Sequence, residues 1–137
     1  MRIALLTAVL VAAVGCGASQ GASGSTPETQ LAISVWPDGR GAGSATKWTL
    51  RCSPAGGTLP KPVVSCGRLL GMTKPFAPVR KDAICTDLYG GPQQAVIAGT
   101  FRGSKIWILL AARNGCEISR AKRLAFLTPG FSAAAGS

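Results

Sequence analysis

Cysteine is the residue type in this chain whose spacing says most about chemistry. The sequence has 137 residues and five cysteines, four of which lie at positions 52, 66, 85 and 116. Four such residues either pair as disulfides or ligate a metal ion. Metal ligation is disfavoured because no CxxC pair occurs and the chain contains no histidine. We therefore predict two disulfides and no metal site from Cys52, Cys66, Cys85 and Cys116.

Four cysteines allow three disulfide pairings. The pairing of sequence neighbours, Cys52 with Cys66 and Cys85 with Cys116, fits the hairpin-like order of the strands predicted below. Each bridge would stabilise the fold by about 2–4 kcal/mol, mainly by restricting the unfolded chain.

The charged residues argue against an enzyme. Without histidine the chain cannot build a Ser-His-Asp or Cys-His catalytic arrangement. The sequence has 15 Lys and Arg against 5 Asp and Glu, for a net charge of +10. Five carboxylates are also few for a calcium site, which needs several that converge. We predict a protein that is not an enzyme and has no cofactor.

The first fifteen residues have the pattern of an export signal. Arg2 supplies one positive charge, and residues 3–15 are uncharged and mostly apolar. This run is shorter than the ~20 apolar residues that span a bilayer. It ends in Ala-Val-Gly before Cys16, which resembles the lipobox of bacterial lipoproteins and implies cleavage before Cys16 and its acylation. Simple secretion, with cleavage near Ala18, is the alternative.

The domain organisation follows from composition. Residues 1–15 are predicted to be the signal peptide. Residues 16–30 lack large apolar side chains and are predicted to be a flexible linker. We expect one folded domain over residues 31–128 and a flexible tail over 129–137. The protein is thus predicted to be exported, and either lipid-anchored on the outer face of the cell membrane or secreted.

Alternating apolar side chains predict most of the strands. Large apolar residues recur at every second position in residues 31–36, and residues 45–52 alternate in the same way. We expect these two strands to pair in antiparallel orientation. Residues 94–101 and 105–113 predict a hairpin with a tight turn at 102–104.

The remaining segments complete the fold class. A short helix is predicted over residues 62–70, since Pro62 suits a first turn and Gly71 a helix end. Residues 116–119 and 123–127 are predicted to supply one or two final short strands. The sum is an α+β fold with about five antiparallel strands, one or two short helices and two disulfides.

The most specific pattern is the segment Ile-Cys-Thr-Asp-Leu-Tyr-Gly-Gly-Pro at residues 84–92. The same chain carries Trp-Thr-Leu-Arg-Cys at 48–52, a Pro- and Gly-rich loop before Cys66, and Asn-Gly-Cys-Glu-Ile at 114–118. Together these elements resemble the Streptomyces subtilisin inhibitor family, over residues 31–127. Both cysteine spacings match the two disulfides of that family, which pair sequence neighbours.

The resemblance implies a function and a set of site residues. It implies inhibition of subtilisin-like serine proteases and a five-stranded antiparallel sheet with helical cover, through which members of the family often form homodimers. The reactive bond of the family lies two residues after the third cysteine. Carried over to this chain, the reactive loop has Asp87 as the specificity residue, Leu88 after the scissile bond, and Cys85, Thr86 and Tyr89 as its further protease-contact residues.

Asp87 departs from the long Met or Lys side chains that are usual in the family at the specificity position. An apolar protease pocket would bury its carboxylate unpaired, which is costly. Three outcomes stay open: the partner prefers acidic residues, inhibition is weak, or the fold is kept without the activity.

The basic residues predict an alternative function. Arg80 and Lys81 form one cluster, and Arg120, Lys122 and Arg123 form another. A strongly basic domain is attracted to anionic lipids and cell-wall polymers. The alternative is therefore a lipid-anchored basic surface-binding module on the same fold that does not inhibit proteases. No nucleic-acid partner is expected because the sequence carries no recognised motif for one.

Overall fold

A computed structural model describes Gly17 and residues 28–132 of the chain. The predicted signal peptide, the predicted lipidation of Cys16, eleven of the fifteen residues of the predicted linker and the last five residues lie outside the described part. Within the described part, no helix is both long enough and apolar enough to cross a membrane.

Four antiparallel strands form one sheet. They are β1 (Thr29–Trp36), β2 (Thr46–Cys52), β3 (Gln94–Phe101) and β4 (Ser104–Leu110), in the spatial order β2-β1-β3-β4. The predicted pairing of the first two strands is confirmed, with Ile33 opposite Trp48. The predicted turn at 102–104 is confirmed as a two-residue hairpin loop, in which Arg102 and Gly103 both have positive φ.

One face of the sheet is buried, as the alternating sequence pattern predicts. Leu31, Ile33 and Val35 of β1 point into the core, and the residues between them are exposed or half-buried. The same core takes apolar residues from the other strands and from the two helices. It extends to Phe131, which is also buried.

Helix α1 spans Pro62–Leu70, as predicted from the sequence. Its buried side presents Cys66 and Leu69 to the core, and its backbone ends at Gly71. The Cys52–Cys66 disulfide joins this helix to the end of β2. The second predicted pairing, Cys85 with Cys116, is confirmed as well.

The prediction of final strands at 116–119 and 123–127 is wrong. The structure has helix α2 (Gly115–Arg123) followed by a short 3₁₀ helix (Ala125–Leu127), so the sheet has four strands rather than five. The side chain of Asn114 caps α2 by accepting a hydrogen bond from the Glu117 N–H at 3.0 Å. Ile118 and Ala121, three residues apart, bury one face of the helix.

Candidate functional site

The segment of residues 83–91, called the 83–91 loop below, lies between α1 and β3 and has no regular secondary structure. Its central side chains project into solvent. Ile84 is fully exposed and Tyr89 is 67% exposed. Cys85 is half-buried, and Thr86, Asp87 and Leu88 are exposed. Exposed apolar side chains that lie close together, as Ile84, Leu88 and Tyr89 do along this loop, can mark an interaction site.

The entry of the loop is fixed to the start of α2. The Cys85–Cys116 disulfide holds the two Cα atoms 5.3 Å apart. The carbonyl of Thr86 accepts a hydrogen bond from the Gly115 N–H at 3.0 Å. A Cβ at position 115 would collide with the Thr86 hydroxyl, so glycine allows this close approach without a change in the Thr86 side chain. A covalent bond and a backbone hydrogen bond therefore fix adjacent loop residues.

The exit of the loop is fixed to the end of β4. The Gly90 N–H donates to the carbonyl of Ala112 at 2.6 Å. The buried side chain of Gln93 donates to the carbonyl of Gly90 at 2.8 Å and to that of Ser132 at 2.7 Å. A Cβ at position 90 would lie 2.9 Å from a methyl carbon of Ile118. Both ends of the loop thus rest on the segment that contains Ala112 and α2.

Asp87 lies at the apex between these two supports. The Leu88 N–H donates to the Thr86 carbonyl at 2.9 Å, which closes a three-residue turn around Asp87. Neither the N–H nor the C=O of Asp87 has a hydrogen-bond partner within residues 28–132. The backbone groups on either side of Asp87 are therefore engaged inside the protein, whereas those of Asp87 itself are available to a binding partner.

A groove of about 450 Å³ separates the loop from α2. Ile84, Thr86 and Leu88 line it on the loop side, and Ser119 and Lys122 line it on the helix side. Asp87, between Thr86 and Leu88, does not line this groove.

Arg120 ties α2 to two neighbouring segments of the chain. Its guanidinium donates to the carbonyls of Phe76 at 3.3 Å and Leu109 at 3.4 Å. Burial lowers the pKa of Arg120 from its ordinary value, the positive charge of Arg123 lowers it further, and Glu117 opposes both effects. The group nevertheless stays protonated at neutral pH, as arginine does in proteins. The Arg120 guanidinium therefore links the helix that carries Cys116 to the backbone at Phe76 and Leu109.

The described residues contain no cluster of three or more His, Cys, Asp or Glu side chains that could hold a metal ion. The arrangement is instead a projecting peptide segment on rigid supports. Such a segment can dock in an extended cleft by strand addition.

The sequence model described as Subtilisin inhibitor-like matches residues 26–111, which is more than half of the chain. The chain belongs to the subtilisin inhibitor-like family. No curated protein matches it. The family is one of inhibitor-like proteins rather than enzymes, and it indicates a protease as the type of partner.

The match to the subtilisin inhibitor-like family covers the sheet, α1 and the whole 83–91 loop, whereas Cys116 and α2 lie beyond residue 111. The two disulfides and the family together indicate an extracytoplasmic protein. The Cys52–Cys66 bridge belongs to the unit of β2 and α1, and the Cys85–Cys116 bridge belongs to the loop.

Sequence reasoning assigned no role in the loop to Ile84, Gln93, Ala112 or Gly115, although the motifs at 84–92 and 114–118 include Ile84 and Gly115. Ile84 is an isolated apolar residue before Cys85, and only its position beside that cysteine could have marked it. The supports from Ala112, Gly115 and Gln93 depend on backbone proximity across the fold, for which the sequence carries no local signal.

Proposed function

We propose that the protein inhibits subtilisin-like serine endopeptidases by presenting the 83–91 loop as a substrate, with the peptide bond between Asp87 and Leu88 as the reactive bond. One observation carries this proposal: the loop projects into solvent while both of its ends are fixed to the same support. A loop ordered before binding avoids much of the entropy cost that a flexible substrate loses on association.

The supports explain how a cleavable loop inhibits. The protease serine attacks the Asp87 carbonyl, and the bond to Leu88 breaks to leave an acyl-enzyme and a free Leu88 amine. Cys85 and Cys116 hold the acyl side in place, and the bond from Gly90 to Ala112 holds the amine side. The amine therefore stays close to the acyl carbon and re-forms the peptide bond faster than water hydrolyses the ester.

Contacts around the reactive bond follow from exposure. Strand addition pairs the backbone of Asp87 with the cleft and leaves side chains of the loop to fill pockets. Thr86 precedes the reactive bond, and Ile84 offers an apolar side chain at the entry. Tyr89 offers an aromatic one after the bond, where it lies beside Arg40 and Arg113.

Inhibition assays against a panel of subtilisin-like proteases test this proposal. The panel contains enzymes with different specificity pockets, and the oxidised protein is added in stoichiometric amounts. We expect tight inhibition of at least one enzyme, with slow release of intact inhibitor. If the folded protein stays uncut and inhibits no enzyme of the panel, the proposal is wrong.

A matched pair of variants shows whether the loop is responsible. Leu88→Asp places a carboxylate on the exposed residue after the reactive bond, and Val63→Asp does the same on the exposed side of α1. We expect Leu88→Asp to weaken inhibition by about 100-fold or more, as expected for an unpaired charge at the centre of an interface. Val63→Asp should leave inhibition unchanged.

One observation favours the alternative function, an anionic-surface-binding module. Residues 39–81 contain eight Lys and Arg and no acidic residue. All eight of these cations are exposed. Binding to anionic vesicles that is lost at high salt, without inhibition of any protease, would favour this module over the inhibitor.

The predicted export signal and lipid anchor bear on where inhibition takes place. An acylated Cys16 would hold the domain at the outer face of the membrane, through the segment that precedes β1. Mass spectrometry of the protein from its native membrane fraction tests this prediction, since an acyl chain adds a defined mass to the peptide that begins at Cys16. A mature chain that begins near Ala18 would instead indicate simple secretion.

A further inference from the structure

The carboxylate of Asp87 is unpaired in a protein rich in cations. The chain contains 15 Lys and Arg, and two of its acids form ion pairs, Asp82 with Arg80 and Glu117 with Arg113. Asp87 forms no ion pair and no side-chain hydrogen bond with any residue between 28 and 132. The Asp87 side chain is exposed, so no group in the described part of the protein competes with a binding partner for its carboxylate.

Asp87 also lies outside the groove between the loop and α2. The neighbouring residues Thr86 and Leu88 line the groove that contains Lys122, and Asp87 does not. The turn closed between those two neighbours puts Asp87 at the apex of the loop. Its side chain is therefore free to enter a pocket of a molecule that binds over the apex.

Desolvation decides which kind of pocket can accept it. An apolar pocket removes the water around the carboxylate and offers no compensating charge, which strongly opposes binding. A pocket with a Lys or Arg side chain replaces the lost water with an ion pair and hydrogen bonds. The same residue thus acts against one class of protease and favours another, which is the basis of specificity by differential affinity.

Resting on the proposed function, we propose that the partner is a serine protease with a positively charged specificity pocket, one that cleaves after acidic residues. Asp87 is then the residue that selects this partner and rejects proteases with apolar pockets.

The test compares two serine proteases, one that cleaves after Glu and Asp and one subtilisin with an apolar specificity pocket. The inhibition constant of the oxidised full chain is measured for each enzyme. We expect inhibition of the acid-cleaving enzyme to be at least about 100-fold tighter, a difference typical of a charge that is paired in one site and unpaired in the other.

Three variants assign this preference to the side chain. Asp87→Asn keeps the shape and removes the charge, and we expect it to weaken inhibition of the acid-cleaving enzyme about 30-fold or more. Asp87→Leu should reverse the preference in favour of the apolar pocket. The control Glu28→Gln removes one negative charge just before β1, at the end of the sheet remote from the exit of the loop. It should change neither inhibition constant.

The outcomes separate this inference from the proposed function. If the wild-type chain inhibits the apolar-pocket enzyme equally well and Asp87→Asn changes nothing, the inference is wrong and the inhibitor function stands. The inference is also wrong if the wild-type chain inhibits neither enzyme, whereas the Asp87→Leu variant inhibits only the enzyme with the apolar pocket. If neither the wild-type chain nor Asp87→Leu inhibits either enzyme while both stay folded, the proposed function fails together with the inference.

Discussion

Two loops of this protein are each anchored by a disulfide, yet they have opposite structures. The 53–61 loop, residues 53–61, follows Cys52 and folds back onto β2. Arg51 and Gly56 exchange two backbone hydrogen bonds, and Leu59 inserts into the core at 2% exposure. The 83–91 loop buries none of its side chains between Ile84 and Tyr89 and is bonded only near its ends and across its apex.

The burial of Leu59 in one loop, and the exposure of the other loop, show that the two disulfides have different roles. In the first loop the bridge reinforces packing that already includes Leu59 and the Thr49–Thr58 hydrogen bonds. In the second loop no side chain between Ile84 and Tyr89 is buried, so Cys85–Cys116, the flanking backbone bonds and the Gln93 hydrogen bond to Gly90 keep the apex in position. One loop therefore stabilises the fold, and the other leaves a segment exposed, as the proposed inhibitor function requires.

Removal of each disulfide should give the largest contrast. Both double Cys→Ser variants should lose about 2–4 kcal/mol of unfolding free energy. Only the variant at Cys85 and Cys116 should change from inhibitor to substrate, since cleavage then releases the acyl side of the loop. Denaturant melts and inhibition progress curves, at a temperature where both variants are folded, check this. Equal loss of inhibition in both variants would contradict the division of roles.

Truncation of an apolar side chain in each loop should separate stability from function. Leu59→Ala leaves a core cavity and should cost about 2–5 kcal/mol with unchanged inhibition by the folded protein. Leu88→Ala should cost less than about 0.5 kcal/mol, but it should weaken inhibition. A Leu88→Ala variant that is strongly destabilised and inhibits normally would reverse this assignment.

Glycine substitution tests the backbone support of the 83–91 loop. Gly115→Ala places a Cβ against Thr86 and should shift the loop, so that the inhibitor is cleaved faster and released. The control Gly67→Ala lies in α1 with open space around its Cβ position, and it should stabilise the protein by about 0.5–1 kcal/mol without changing inhibition. Half-lives of the protease complex measure the contrast, and equal half-lives would argue against support from Gly115.

Loss of the helix cap should have the smallest effect. Asn114→Ala removes the bond to the Glu117 N–H and should cost about 1 kcal/mol. Because α2 carries Cys116, we expect slightly faster hydrogen exchange at Gly115 and a small loss of inhibition. An exchange rate at Gly115 that equals that of the wild type would mean that the cap does not support the loop.

Local signals predicted much of the fold. Period-two alternation located β1 and β2, the hairpin pattern around residues 102–104 located β3, and Pro62 and Gly71 marked the ends of α1. Helix α2 was missed because Asn114 and Gly115 look like a turn, although Asn followed three residues later by Glu is also a helix start. The burial of Leu59 was not predictable, since a lone Leu in a Pro- and Gly-rich loop shows no periodicity.

The candidate site was predictable in part. The resemblance to an inhibitor family located the loop and its disulfide, and the family match and the fold agree with it. The supports at Ala112, Gly115 and Gln93 come from tertiary contacts, so no pattern within the loop contains them. The assignment of Asp87 as the specificity residue stays a prediction.

The position of cleavage tests the central claim most directly. The oxidised protein is incubated with a small amount of an active protease that it inhibits. The products are analysed by mass spectrometry before and after reduction. We predict one product, heavier than the intact chain by one water, that separates on reduction into two fragments ending at Asp87 and beginning at Leu88. Cleavage in the 53–61 loop, or at any bond outside residues 83–91, would contradict the account.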